Sequence, residues 1–152
     1  MWKYKGQDLK DEDIPEDAFG FVYRITYDPT GKFYIGKKSL QHRTKKRLSK
    51  KARAGTRKRI VRGTKDSGWK NYWSSCIALK EDVKLYGEDK FTREILQFTF
   101  NRAETTYYEV HFQVVEGVMF KESYNGWVSG KVWKCQLKNA SGGNDPKKEN
   151  VT

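Results

Sequence analysis

Tyr23 and Tyr34, eleven residues apart, are phenols that could work on a phosphate ester if a carboxylate and an arginine joined them, and the chain has many of both. Such an ester yields when a water is activated, charge at phosphorus is stabilised and the leaving oxygen is held. One carboxylate is enough to hold a hydrated Mg²⁺, which keeps most of its waters. A guanidinium forks onto phosphate oxygens and offsets their charge. A phenol, ordinarily titrating near pKa about 10, acts as a base only with metal or cationic help. Each residue also has a plainer use: strand tyrosines are most often core residues, and a lone glutamate is most often a surface acid.

The elements that must position these groups are legible in part. Phe19 to Tyr27 is rich in aromatic and β-branched residues, Asp28-Pro29-Thr30-Gly31 supplies a turn, and Lys32 to Gly36 resumes the strand pattern. That predicts a β-hairpin with one tyrosine on each strand. Cys76, Leu79, Val83 and Tyr86 recur at helical spacing after a capping serine, Ser74 or Ser75, with Gly87 at the C-terminal end. Phe91 to Phe100 reads as a third strand. Asn101 to Gly117 fits both periodicities, and the capping start at Asn101 favours a helix carrying Glu109. Ser67 to Ser75 holds Trp69, Tyr72 and Trp73, and at least one of the tryptophans is expected in the core.

Charge is concentrated in one place. Twelve of the 31 Lys and Arg residues lie between Arg43 and Lys65 with no acid among them, and the remaining nineteen match the 19 acidic residues, so this segment accounts for the whole net charge of +12. Cations in such a run displace counterions from a phosphate backbone, which points to a polyanion partner. With Gly55 and Gly63 as breaks and few apolar anchors, the segment reads as a basic helix and loop or as an arm that orders on its partner. Six acids around Pro15 make residues 1–18 an acidic lead-in; residues 19–138 form the domain; residues 139–152, polar with Gly142-Gly143 and Pro146, read as a disordered tail. Two cysteines and two histidines, none at zinc-ligand spacing, indicate neither a disulfide framework nor structural zinc and fit a reducing cytoplasm. No apolar run is long enough for a membrane span, and the acidic start does not look like a secretory signal.

The text around the tyrosines resembles a known family. Gly20-Phe21-Val22-Tyr23, then the turn, then Phe33-Tyr34-Ile35-Gly36 resembles the signature of the GIY-YIG nucleases, the first element in its one-residue-longer form and the second literal. The family places an arginine on a helix about ten residues after the second tyrosine; Arg43 stands nine residues after Tyr34, and Arg47 follows four later. A glutamate on a later helix followed by a Tyr-Asn pair matches Glu109 and Tyr124-Asn125, and Trp73 to Leu96 adds the family's intervening pattern. The resemblance spans about Phe19 to Asn125.

It implies an α/β (α+β) domain, a small three-stranded mixed or antiparallel sheet flanked by helices. It also implies a metal-dependent DNA endonuclease of homing type, borne by a phage or mobile element. Within it, Glu109 would hold one Mg²⁺ or Mn²⁺, Arg43 or Arg47 would bind the scissile phosphate, and Tyr23 would orient or deprotonate water. Tyr34 would brace that network and Asn125 would support it. Double-stranded DNA is the expected partner, with no small-molecule cofactor. It would be contacted by Lys37, Lys38, His42, Arg47, Arg57, Lys58, Arg59 and Arg62. Two rivals stand beside this reading: a non-catalytic nucleic-acid-binding protein using residues 43–65, and a structure-specific repair nuclease. The sequence leaves the oligomeric state open.

Overall fold

Alternating apolar residues drive the centre of the fold. In Phe21-Val22-Tyr23-Arg24-Ile25 successive side chains point to opposite faces of a strand, yet Phe21, Val22 and Ile25 are all completely buried, so both faces of this strand must be covered. The computed structural model, which describes residues 1–129 and the backbone of 132 and 133, shows how. The strands are β1 (Trp2–Tyr4), β2 (Gln7–Asp8), β3 (Gly20–Tyr27), β4 (Lys32–Ser39), β5 (Gln41–Arg47), β6 (Ile60–Asp66), β7 (Phe91–Thr99), β8 (Trp127–Val128) and β9 (Val132–Trp133), and the two α-helices among the described residues are α1 (Ile77–Tyr86) and α2 (Arg102–Val115). One mixed sheet runs in the order β2-β1-β7-β3-β4. The expected hairpin is its β3–β4 pair, in the register Tyr23↔Gly36 and Ile25↔Tyr34, closed by Gly31 at positive φ.

The sheet has five strands where three were expected, because residues 2–8, part of the expected acidic lead-in, join it. Lys5 and Gly6 both take positive φ, the conformation of a type I′ hairpin turn, and β1 then lies parallel to β7 with Trp2 opposite Arg93. Trp2 is buried and donates from Nε1 to the Trp69 carbonyl at 3.0 Å. The domain therefore includes this stretch instead of starting at Phe19.

Two cores result. Phe21, Tyr23, Ile25, Trp69, Leu79, Val83, Ile95 and their neighbours fill one face of the sheet, beneath α1. Val22, Phe33, Ile35, Val118 and Met119 fill the other, with Tyr108, Val110 and Phe112 of α2 packed against them. Both helices end as the sequence predicts in outline. Asn101 caps α2 by accepting from the Glu104 amide at 2.7 Å, and Gly87 closes α1 at φ 95°. The α1 cap itself is Cys76, whose amide is held by Ser74 Oγ at 3.1 Å. Trp69 is the tryptophan of its segment that enters the core.

The basic block is neither helix nor unstructured arm. Gln41–Arg47 and Ile60–Asp66 pair antiparallel as a separate two-stranded ribbon, and every residue of it is exposed except Thr44, which is half-buried. The expected tail from 139 lies outside the described residues.

Candidate active site

Because β4 is the outermost strand of the sheet, the two helical layers meet along its edge. Tyr34 projects from β4 toward the α1 side. Glu109 comes from α2, on the opposite layer. Both line one cavity of about 230 Å³, closed by Ser75, Cys76, Gln113 and the stretch from Tyr124 to Trp127. Ser74, buried and at φ 78°, carries the strained turn that presents Ser75 and Cys76 to this cavity.

The edge of β4 is held by side chains. Asn125 Oδ1 accepts from the Ile35 amide at 3.0 Å and Nδ2 donates to the Ile35 carbonyl at 2.9 Å, so the carboxamide pairs with that residue as a neighbouring strand would. Gln113 Nε2 donates to the same carbonyl at 3.1 Å, while its Oε1 is buried with no partner among the described residues. The Tyr124 amide donates to the Phe33 carbonyl at 2.7 Å, and its hydroxyl to Asp82 Oδ2 at 2.6 Å, joining this segment to α1. Asn125 thus fixes the backbone of Ile35, beside Tyr34.

The two tyrosines differ in exposure. Tyr23 is 1% exposed, and burial first, then the neighbouring Tyr34 and Tyr72, push its phenol well above the ordinary value. Tyr34 is half-buried and also raised by burial, with the Ser75 side chain pulling the other way. Between them stands Gly36. A β-carbon there would fall 2.6 Å from Tyr23 Oη and 2.7 Å from Tyr34 Cε1, distances that side chains do not tolerate. The glycine of the second motif element is thus required by the packing of both phenols. Gly20 is required in the same way, since its β-carbon would lie 2.6 Å from the Lys38 carbonyl oxygen.

Glu109 is largely buried, and that burial raises its carboxyl above the ordinary value, while Lys37 acts in the opposite sense. Lys37 Nζ lies 3.8 Å from Glu109 Oε1 and donates to Thr106 Oγ1 at 3.0 Å. The cation beside the carboxylate is therefore a lysine three residues beyond Tyr34. Its spacing was visible in the sequence, where it was expected only as a phosphate contact.

Neither candidate arginine shares the cavity. The chain beyond Tyr34 continues as strand into the ribbon, α1 begins only at Ile77 and carries no arginine, and so the expected helical position does not exist here. Arg43 lines a second cleft of about 520 Å³ with Lys37, Lys38, His42 and Arg102. Arg47 lies further along the exposed ribbon, where Arg57, Lys58, Arg59 and Arg62 line a shallow hollow. Lys38 sits 4.3 Å above the Tyr72 ring, and partial burial lowers its ammonium despite Asp66. Arg102, at the start of α2, was not singled out by sequence; only its place after the capping Asn101 marked it.

The family model described as putative endonuclease segE, GIY-YIG domain, matches residues 2–129. The chain belongs to the GIY-YIG endonuclease family. The match begins in β1, in agreement with the inclusion of that strand in the sheet. No curated protein and no solved structure matches the chain. As a GIY-YIG protein it is a nuclease with nucleic acid as substrate, and its mixed five-stranded sheet with two helices is consistent with the family's fold. No helix among the described residues is long and apolar enough to cross a membrane.

Proposed function

We propose that this GIY-YIG nuclease cleaves double-stranded DNA with the help of one divalent cation held at Glu109, and that Tyr34 is the phenol that meets the reacting water or phosphate. The observation that carries this is the convergence of Tyr34, Glu109 and Asn125 from three separate elements on one small polar cavity.

The residues fit a hard cation with few protein ligands. Among the described residues no three His, Cys, Asp or Glu side chains gather as a metal cluster; Glu109 is the carboxylate lining the cavity, and a Mg²⁺ or Mn²⁺ held there would keep most of its water. Beside it, Gln113 Oε1, four residues along the same helix face and without a partner among the described residues, is an oxygen that could accept a further bond. When bound, such an ion polarises the phosphate and stabilises the leaving oxygen. The protein's own groups do the rest. Lys37 sets a positive charge beside Glu109, Tyr34 offers a hydroxyl at the cavity wall, and Asn125 locks the strand that carries both. Tyr23, sealed behind Gly36, supports Tyr34 through ring contact with centroids 6.1 Å apart. The roles first expected for the two tyrosines are thereby exchanged. Arg43 and Arg102 serve the phosphates that flank the site, along with Lys38 and His42 in the same cleft. A homing-type or phage-borne role belongs to the same proposal, supported by the ribbon as a built-in DNA-binding element.

The test is cleavage of supercoiled and linear duplex DNA in Mg²⁺ or EDTA by the native chain, Glu109→Ala, Tyr34→Phe and Tyr23→Phe. Cation-dependent cutting that disappears with Glu109→Ala and falls further with Tyr34→Phe than with Tyr23→Phe is the expected result. DNA binding without cutting on plain, branched and mismatched duplexes would leave the non-catalytic binding protein as the better reading. Cutting of branched duplexes alone would favour a structure-specific repair nuclease.

A further inference from the structure

We infer that one face of the β5–β6 ribbon, the face of Arg43, Lys45, Arg47 and Arg62, enters the major groove of duplex DNA and selects the sequence at which the nuclease acts. The inference rests on the nuclease proposal for its substrate but on different residues.

The register assigns the faces. In an antiparallel ladder directly opposed residues share a face and successive residues alternate. Arg43 is opposite Thr64, Lys45 opposite Arg62 and Arg47 opposite Ile60, which puts three guanidinium groups and one ammonium on one face. The other face has Lys65 opposite His42 and Lys46 opposite Val61, so its fixed cations are two lysines.

The charge arrangement is wrong for a free protein and right for a polyanion. Lys45 and Arg62 stand directly across from each other, and like charges so placed destabilise a sheet. Among the described residues no ion pair reaches any Lys or Arg of β5 or β6. The ribbon has no core, since none of its side chains is buried, and two strands alone are marginal in water. What relieves both defects is a surface of dense negative charge.

Shape narrows that surface to a duplex groove. Seven residues of antiparallel strand extend about 24 Å, and two paired strands are spaced about 5 Å apart. The major groove of B-DNA, about 12 Å wide, admits a two-stranded ribbon. Both arginine and lysine reach the O6 and N7 of guanine, and the planar guanidinium fork meets the two acceptors with the more fixed geometry. The guanidinium-rich face is therefore the one turned to the bases. At the ribbon's foot, the cleft lined by Arg43, Arg102, Lys38 and Lys37 leads from this face toward Glu109, which gives the bound backbone a continuous basic path to the cavity.

The experiment selects binding sites from a randomised duplex library with the intact chain carrying Glu109→Gln, so that nothing is cut. It then compares Arg62→Ala and Lys45→Gln with Lys46→Gln and Lys65→Gln on the selected site and on unrelated duplex. The expected outcome is an enriched sequence containing guanine, whose binding is blocked by methylation at guanine N7 and not by a minor-groove competitor. Arg62→Ala should lower the ratio of specific to non-specific affinity by about tenfold to a hundredfold, whereas the two lysines of the opposite face lower both affinities alike. All four positions are exposed, so none should lower the melting temperature, and Arg62→Ala or Lys45→Gln, by removing one of two facing like charges, should leave it equal or slightly higher. Selection with no enrichment, interference from the minor groove alone, tighter binding to RNA or single strands, or a ratio that moves only with Lys46 and Lys65 overturns the inference. Site-independent cutting by the native chain would do so while leaving the nuclease proposal standing. Failure to bind or cut any duplex would remove both.

Discussion

The sheet and the ribbon are two β structures built on opposite terms. In β3 five of eight residues are buried and both faces are covered by apolar layers; in β6 all seven residues are exposed and the pairing is backbone to backbone. The first is specified by what it excludes, namely water. The second has its shape from strand pairing and is distinguished by charge, which DNA bound as inferred above would offset. Where a nuclease must hold reacting groups still and also follow a flexible polymer, dividing the tasks between such regions lets substitutions in one leave the other nearly untouched.

That division can be broken by measurement. Phe21→Ala should cost about 3–5 kcal/mol of unfolding free energy in a denaturant titration, while Val61→Ala in the ribbon should fall within about 0.5 kcal/mol of the native chain; comparable losses would end the contrast. Gly36→Ala, forced between two phenols, should cost about 1–3 kcal/mol by overpacking and should depress cleavage beyond what its stability loss explains, because Tyr34 must move. Replacing Arg57, Lys58 and Arg59 together by Gln should leave melting unchanged and reduce the magnitude of the slope of log affinity against log salt, by about 0.9 for each phosphate that is no longer neutralised. A changed melting temperature with an unchanged slope would mean that these residues belong to the fold and not to the interface.

The smallest expected effect concerns Glu109. Its folded pKa is raised mainly by burial, so the ionised carboxylate costs stability at pH above that value, and the cost vanishes below the unfolded value near the ordinary 4.5. Glu109→Gln should therefore melt slightly higher than the native chain at pH about 7.5, and the difference should close as the pH falls toward about 4. If Glu109 holds the cation as proposed, the same burial should move the acid limit of cleavage upward from that of an ordinary carboxylate, since the ionised form is the one that would bind it. A lower melting temperature for Glu109→Gln at neutral pH would show that the Lys37 pair outweighs burial.

Much of this architecture was legible from residues near one another in the chain. The β3–β4 hairpin, α1, β7 and the capped α2 follow from local periodicity and turn chemistry, and the joining of Glu109 and Asn125 to Tyr34 followed from the family resemblance. What escaped were pairings whose partners are distant. Trp2-Lys3-Tyr4 is too short to announce a strand, and its place beside Arg93 depends on a residue at the far end of the fold. Arg93 itself looks like a surface residue in the sequence, yet it lies between Trp2 and Trp73 at 4.8 and 4.2 Å and holds the Lys70 and Tyr72 carbonyls. In the basic block, cations dominate both strands and hide the alternation by which strands are recognised; Ile60 and Val61 were the β-branched signal. The missing helical arginine has the same origin, since a local count of residues cannot reveal that the ribbon interrupts the path from Tyr34 to α1.

The carboxamide of Asn125 has one further consequence. An outermost strand with bare amides and carbonyls is a template on which another chain can add itself, and β4 carries the residues that this protein can least afford to bury in that way. By bonding both polar groups of Ile35, with the Tyr124 amide on Phe33, the chain occupies its own template. The side chain that steadies one wall of the cavity is thus also the group that occupies the strand edge another chain would need.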